Sequence, residues 1–340
     1  MQAIRFGIDL AKSVFQVHGV DARDEVVVQR QLRREQLLKF FAKQPPALIG
    51  MEACGSAHHW GRELAKLGHE VKLMPAAYVK VYVKRNKNDV RDAEGACEAV
   101  SRPTMRFVPV KSVEQQCARA IHRARDLLVR QRTQLSNAIR GLLYEMGLIS
   151  AKGSGGIMAL VSRIEAKEAT IPGSLLATLA PLARQWRNLD ADIDGFDEQI
   201  LALVKQDQAA LRLMKIPGVG PISAHAVIAA IGDGRQFASG RDFAAWVGLT
   251  RRNHDTGGKH RLTGHISRAG DQALRRLLVL GSSAWLRHLR AKPDKGSKWI
   301  RGVLARRPVR VAVVAQAAKS ARIIWAMLTS GQDYRVIATA

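Results

Sequence analysis

The chain opens on short apolar runs and then changes to long helical periods. Runs at Ile4 to Ile8, Val14 to Val20 and Glu25 to Val28 lie close together, separated by polar turns at Ala11-Lys12 and Asp21 to Asp24. That spacing predicts three strands joined as hairpins. A helical stretch from Glu35 to Ala42, an apolar run at Ala47 to Met51, a helix from His58 to Leu67 and a strand at Val71 to Met74 follow. This order predicts a mixed sheet whose parallel strands enter by right-handed crossovers. Beyond residue 110 the period lengthens. Val113 to Met146 holds no proline and a single glycine, with Ile121, Leu128, Leu135 and Leu142 at every seventh position. Leu179, Leu182, Trp186, Leu189, Ile193, Phe196, Ile200 and Leu203 alternate spacings of three and four, the seam of a coiled coil. Gly147 to Pro172, rich in Gly and Ser, is expected to connect the two helices as an antiparallel hairpin, on which a dimer could be built.

Further on, Lys215-Ile216-Pro217-Gly218-Val219-Gly220-Pro221 leads into an apolar helix from Ile222 to Ile231. It resembles the turn of a helix-hairpin-helix, in which Gly218 and Gly220 would let backbone N–H groups approach phosphate. The alternative is a tight turn between packed helices. Thr250 to Ile266 reads as a loop carrying Arg251, Arg252, Thr256-Gly257-Gly258-Lys259 and Arg261, where paired glycines beside a lysine could wrap a phosphate. Arg268 continues this basic surface, and Val311 to Leu328 reads as a packing helix. The expected fold is thus an α/β N-terminal domain over residues 1–110, with the element order of a ribonuclease H-like layer. A coiled-coil helical hairpin (111–206) and a mainly α C-terminal domain with a helix-hairpin-helix-like element (207–340) follow.

Composition adds a partner. The 340 residues include 54 Lys and Arg against 29 Asp and Glu, a formal charge of +25 and a pI near 10.8. Such an excess favours a polyanion, with binding that weakens steeply as salt rises. An acidic membrane is the less favoured partner, because no run of about 18 apolar residues and no N-terminal signal pattern is seen. A soluble cytoplasmic protein is expected. Cys54, Cys97 and Cys117 are odd in number and unpaired by spacing, which argues against a disulfide framework or a zinc site. A Ser-His-Asp hydrolase lacks its G-x-S-x-G elbow.

Against this basic background, four acidic residues stand where secondary structure would present them. Asp9 ends the run Phe6-Gly7-Ile8-Asp9, Glu52 ends Leu48-Ile49-Gly50-Met51-Glu52, and Asp89 and Asp92 lie three apart at the start of a helical stretch. Taken singly, each is as well explained by a helix cap or a solvated surface. Together they could hold a pair of hard cations, which prefer oxygen ligands and can stabilise both the attacking and leaving oxygens of phosphoryl transfer. Lys84, Arg85 and Lys87 precede the helical pair and could hold a phosphate backbone.

The stretches Phe6 to Lys12, Gly50 to Ser56, Tyr78 to Ala93 and Arg102 to Val110 resemble the N-terminal domain of insertion sequence 110 family transposases, particularly the 1111 subgroup. Ile216 to Pro221, Trp246-Val247-Gly248-Leu249 and Thr256 to Lys259 are similar to the family's second domain. The motifs run in the family's order over almost the whole chain. This resemblance implies a RuvC-like fold with Asp9, Glu52, Asp89 and Asp92 as a tetrad binding Mg2+ or Mn2+. It also implies recombination of element-end and target DNA, a bridge RNA that pairs with both, a homo-oligomer (dimer or tetramer) and a location in the cytoplasm with the nucleoid. One position departs from the pattern. The family is described as using a serine nucleophile just before the Gly-Gly-Lys tract, and here His254-Asp255-Thr256 stands in that place. The Thr256 hydroxyl is therefore the candidate nucleophile, with Ser239 and Ser267 as nearby alternatives. Two other functions remain open: a junction-resolving endonuclease that only hydrolyses, and a basic nucleic-acid-binding protein without catalysis.

Overall fold

A computed structural model describes residues 2–83, 88–292 and 297–335. The chain divides into two compact units, residues 1–114 and 115–340.

The first unit is built on a five-stranded sheet. Its strands are β1 (Arg5–Leu10), β2 (Val14–Val20), β3 (Val26–Arg33), β4 (Leu48–Glu52) and β5 (Glu70–Met74), in the order β3-β2-β1-β4-β5. β1 pairs antiparallel with β2 and parallel with β4, and β4 pairs parallel with β5. The hairpin-linked trio and the parallel additions match the expected order. Alternation assigns the two faces. Phe6 and Ile8 of β1 and Ile49 and Met51 of β4 are buried with Leu37 and Phe41 of α1 (Leu37–Phe41) and Trp60 and Leu64 of α2 (Ala57–Lys66). After the short α3 (Ala76–Val79), the other face is covered by α4 (Asp89–Val100), whose Ala96, Ala99 and Val100 bury against Met74 and Val79.

α4 lies flush on the sheet because both partners are small where they meet. A methyl at Gly7 would fall 2.1 Å from the Ala93 carbonyl oxygen and 2.3 Å from the Cys97 amide nitrogen. One at Gly50 would fall 2.6 Å from the Val100 Cβ and 2.8 Å from the Ala96 carbonyl oxygen. Glycine leaves the room that any side chain would fill. The Cys97 thiol, pushed up in pKa by burial, lies 3.7 Å from the Arg5 carbonyl oxygen. α4 therefore runs antiparallel to β1, with Cys97 beside the start of the strand and Ala93 beside its middle.

The second unit is mainly helical. α5 (Val113–Tyr144) and α7 (Gly173–Gln206) run antiparallel: Arg125 pairs with Asp197, Arg132 with Asp190, and the Trp186 Nε1 donates to the Ser136 Oγ at 2.8 Å. The connecting segment is not all loop, since α6 (Ser154–Glu165) lies within it. Ile157, Leu160, Val161 and Ile164 of α6 form one apolar face and bury against Ile139, Leu143, Leu179 and Trp186. The seam also differs from strict heptads: Leu142 and Leu203 are exposed, and Leu143 and Val204 take the buried places.

α8 (Gln208–Leu213), α9 (Pro221–Ile231), α10 (Gly240–Trp246), α11 (Gln272–Ala291), α12 (Lys298–Arg306) and α13 (Val309–Ser330) complete the unit. Its core joins Ile200 and Val204 of α7 to Ala224 and Val227 of α9, Phe243 of α10, Leu274 and Leu278 of α11, and Ala317, Ala321 and Ile324 of α13. α13 is long and apolar enough to cross a membrane by length and composition, the one such helix among the described residues, although Arg310, Lys319 and Arg322 interrupt its apolar run. Ala317, Ala321, Ile324 and Met327 of α13 are part of this core, and Ala312 and Val313 bury against α11 and α12.

Thr250 to Ile266 is not a loop. β6 (Arg251–Thr256) and β7 (Lys259–Ile266) form an antiparallel hairpin in which Thr256 faces Lys259 across Gly257-Gly258. Both glycines have positive φ, 55° and 79°, as a two-residue hairpin turn requires.

Candidate metal centre and nucleic-acid interface

The close fit of α4 on β1 creates the acidic site. Gly7 and Asp9 share the α4 face of β1, so the residue two beyond the glycine emerges beside the start of α4. There Asn88 caps the helix, its Oδ1 accepting from the Arg91 amide at 2.9 Å. Asp89 and Asp92 occupy the first turn, where the helix dipole favours negative charge. One oxygen from each of Asp9, Asp89 and Asp92 lies within 4.8 Å of the others. Asp9 and Asp92 are half-buried and Asp89 is exposed. Carboxylates from two elements, far apart in sequence, thus converge at one end of the sheet.

Glu52 stands apart from this oxygen group. Its strand position is nevertheless close by register. Gly7 pairs with Gly50 and Ile8 with Met51 in parallel, and one further step sets Asp9 beside Glu52 on the α4 face. The donor chemistry fits a divalent cation. Three oxygen ligands of one charge suit a hard ion, and oxygens bound to one ion at about 2.1–2.6 Å stand at most about 5 Å apart. Lys84, Arg85 and Lys87, expected to hold phosphate near this site, lie outside the described residues.

The proposed nucleic-acid contacts of the second unit separate into two kinds. Gly218 serves packing: a methyl there would fall 2.8 Å from the Gly281 carbonyl oxygen, so the turn before α9 is closed against α11. Gly220 is open, with nothing within 4 Å of an added methyl. Arg251, Arg252, Lys259 and Arg268 are exposed, and Arg252 donates to the Ser267 carbonyl oxygen at 3.3 Å. The side chain of Arg261 lies outside the described residues. Thr256 is exposed at the end of β6. Ser239 caps α10 by accepting from the Asp242 amide at 3.2 Å, and the Ser267 Oγ accepts from the Ala269 amide at 3.4 Å.

Reading the sequence alone missed the joint between α5, α9 and α11. A cleft of about 250 Å³ there is lined by Arg119, His122, Arg123, Arg276 and the apolar Ile222 and Leu274. Its charges are largely balanced internally. Arg119 pairs with Asp271 at 3.5 Å, and Arg276 pairs with Asp126. His122 Nε2 and His225 Nδ1 share a hydrogen bond of 2.8 Å, and burial, His225 and nearby arginines hold the His122 pKa down at about 4. The arrangement is a structural joint of neutral imidazoles and paired ions, and no sequence motif marks it.

Comparison with known proteins supplies the family. A model described as "Transposase IS116/IS110/IS902 family" matches residues 210–304, and a DEDD-type model described as "Transposase" matches residues 6–147. A "Probable family 20 transposase" of Pseudomonas aeruginosa is 51% identical over 98% of this chain and 99% of its own length. The chain belongs to the IS110 family of insertion-sequence transposases. Two further relatives are named for their elements. The "Transposase for insertion sequence element IS1111A" of Coxiella burnetii is 41% identical over 97% of this chain and 90% of its own length. The "Transposase for insertion sequence element IS1328" of Yersinia enterocolitica is 38% identical over 96% of each. As a transposase the protein acts on DNA, and DEDD-type members of the family typically use a divalent metal.

Proposed function

We propose that the transposase cuts and rejoins element-end and target DNA by phosphoryl transfer, with Asp9, Asp89 and Asp92 holding Mg2+ or Mn2+ and Glu52 completing the set. The observation that carries this reading is the convergence of three carboxylates from β1 and α4 within 4.8 Å. A divalent ion held there would neutralise charge on the reacting phosphate and its oxygens. The strand order supports placing the first unit with RuvC-like, ribonuclease H-like folds. Thr256, on the exposed hairpin of the second unit, is the nucleophile in this reading. Its oxygen bonds to phosphorus, a DNA hydroxyl leaves, and attack by another DNA hydroxyl reverses the step and frees the threonine. Ser239 and Ser267 rank behind it because each already accepts a backbone hydrogen bond. A bridge RNA that pairs with both DNAs would supply sequence choice, leaving the protein to read backbone and shape. The working species in this reading is a dimer or tetramer in the nucleoid-associated cytoplasm.

Two variants test it. Asp9→Ala should abolish recombination of an element-end substrate while DNA binding persists; unchanged recombination would remove the metal assignment. Denaturing electrophoresis of wild type with a suicide substrate should reveal a protein–DNA adduct that Thr256→Ala lacks. An adduct retained in Thr256→Ala would move the role to another hydroxyl, and no adduct at all would favour the hydrolytic junction nuclease.

A further inference from the structure

The segment from Ser297 to Gln332 holds seven Lys and Arg and no acidic residue. α12 is pinned by its apolar side: Ile300 is fully buried, and Val303 and Leu304 pack with it against Leu286 and Leu289 of α11 and Ala312 and Val313 of α13. At 100° per residue, Lys298, Arg301 and Ala305 fall on the opposite side, and all three are exposed. Arg307 and Arg310 continue the charge through the turn at Pro308 into the first turn of α13, and both are exposed.

Among the described residues, no ion pair ties these cations to the fold. Lys298 and Arg301 lie at the start of α12 and Arg310 at the start of α13, the helix ends at which the dipole disfavours positive charge. Among the described residues, no acidic group stands against any of the three. Cations kept exposed where they cost the fold stability fit an external anion.

Resting on the reading of the chain as a DNA transposase, we propose that the corner formed by α12 and the start of α13 docks on the phosphate backbone of duplex DNA. Its form favours a duplex. α12 is about 13 Å long, room for roughly four phosphates of one strand. Single strands are instead held on aromatic platforms. The one aromatic residue of α12, Trp299, has the Lys319 ammonium 4.2 Å from its ring centre, so that face is taken. The surface is separate from the acidic site and from the β6–β7 hairpin in sequence and chemistry, and it contributes affinity without sequence choice.

The test is the salt dependence of binding by the full-length protein to a labelled DNA duplex of arbitrary sequence, in EDTA, by fluorescence anisotropy. The triple variant Lys298→Gln/Arg301→Gln/Arg310→Gln should melt at or slightly above the wild-type temperature, because it relieves unfavourable charge at two helix starts. Its slope of log Kobs against log salt should fall by about 2.7, from about 0.9 per lost phosphate contact. An unchanged slope would overturn the proposal, as would a loss seen with duplex RNA and not with duplex DNA. Asp92→Asn, run alongside, should keep the wild-type slope. If Asp92→Asn still recombines DNA while the triple variant loses slope, the metal reading fails and the docking surface stands.

Discussion

The contact between Gly7 and α4 makes the acidic site depend on the absence of one methyl group. In Gly7→Ala the new Cβ would sit 2.1 Å from the Ala93 carbonyl oxygen and 2.3 Å from the Cys97 amide nitrogen, where ordinary contact begins near 3.4 Å. Both neighbours are helix backbone and cannot rotate away, so α4 must withdraw by roughly 1 Å. Overpacking of this kind costs about 1–3 kcal/mol. For a unit of this size, that lowers the melting temperature by roughly 5–15 °C. The chemical effect is larger than the thermal one. Asp89 and Asp92 travel with α4 while Asp9 stays on β1, and a misplacement of about 1 Å at a reacting site can cost about 100-fold in rate. Differential scanning calorimetry and a recombination assay on an element-end substrate measure the two effects. Gly141→Ala is the internal control, because nothing lies within 4 Å of its added methyl and its helix should gain up to about 1 kcal/mol. Wild-type melting and wild-type recombination in Gly7→Ala would refute the claim that helix seating sets the site.

Other outcomes follow from the second unit. In Ser136→Ala the buried Trp186 Nε1 loses its acceptor, which should cost about 1–3 kcal/mol in urea denaturation; a change below about 0.5 kcal/mol would show that the bond contributes nothing. His122 is held neutral in the fold, with its pKa lowered from 6.5 to about 4, so the unfolded chain takes up the proton first as pH falls. Its contribution is therefore present above pH 6.5 and lost progressively down to pH 4. Discounted for partial exposure, it amounts to about 1–2 kcal/mol. His122→Gln keeps a hydrogen-bonding group without the titration, and should lose less stability than wild type between those pH values; parallel curves would reject the assignment.

Much of the first unit was legible because its strands are short apolar runs bounded by polar turns. Asp9 and Glu52 stood out as breaks at the ends of apolar runs, and the three-residue spacing of Asp89 and Asp92 fell on a helix start. What the pattern did not show was α4's seat: Gly7 and Gly50 read as ordinary strand glycines until their neighbours were known. The β6–β7 hairpin was missed because its sequence is almost wholly polar, so alternation has little to mark; Gly257-Gly258 was the one local signal. α6 was hidden by its glycine-rich start, although its four buried apolar residues repeat at helical spacing. The buried place passes from Leu142 to Leu143 on α5 and from Leu203 to Val204 on α7. Both shifts reflect the difference between a repeat of 3.5 and a helix of 3.6 residues per turn, which carries a heptad off the seam over a long helix.

The central claim is that Asp9, Asp89 and Asp92 bind one cation in common. Electron paramagnetic resonance of free Mn2+, titrated with wild type, Asp9→Asn, Asp92→Asn and the exposed control Asp192→Asn, measures it without reference to catalysis. The account predicts that either site variant weakens Mn2+ binding at least about tenfold while Asp192→Asn matches wild type. Equal Mn2+ affinity in all four proteins would contradict it.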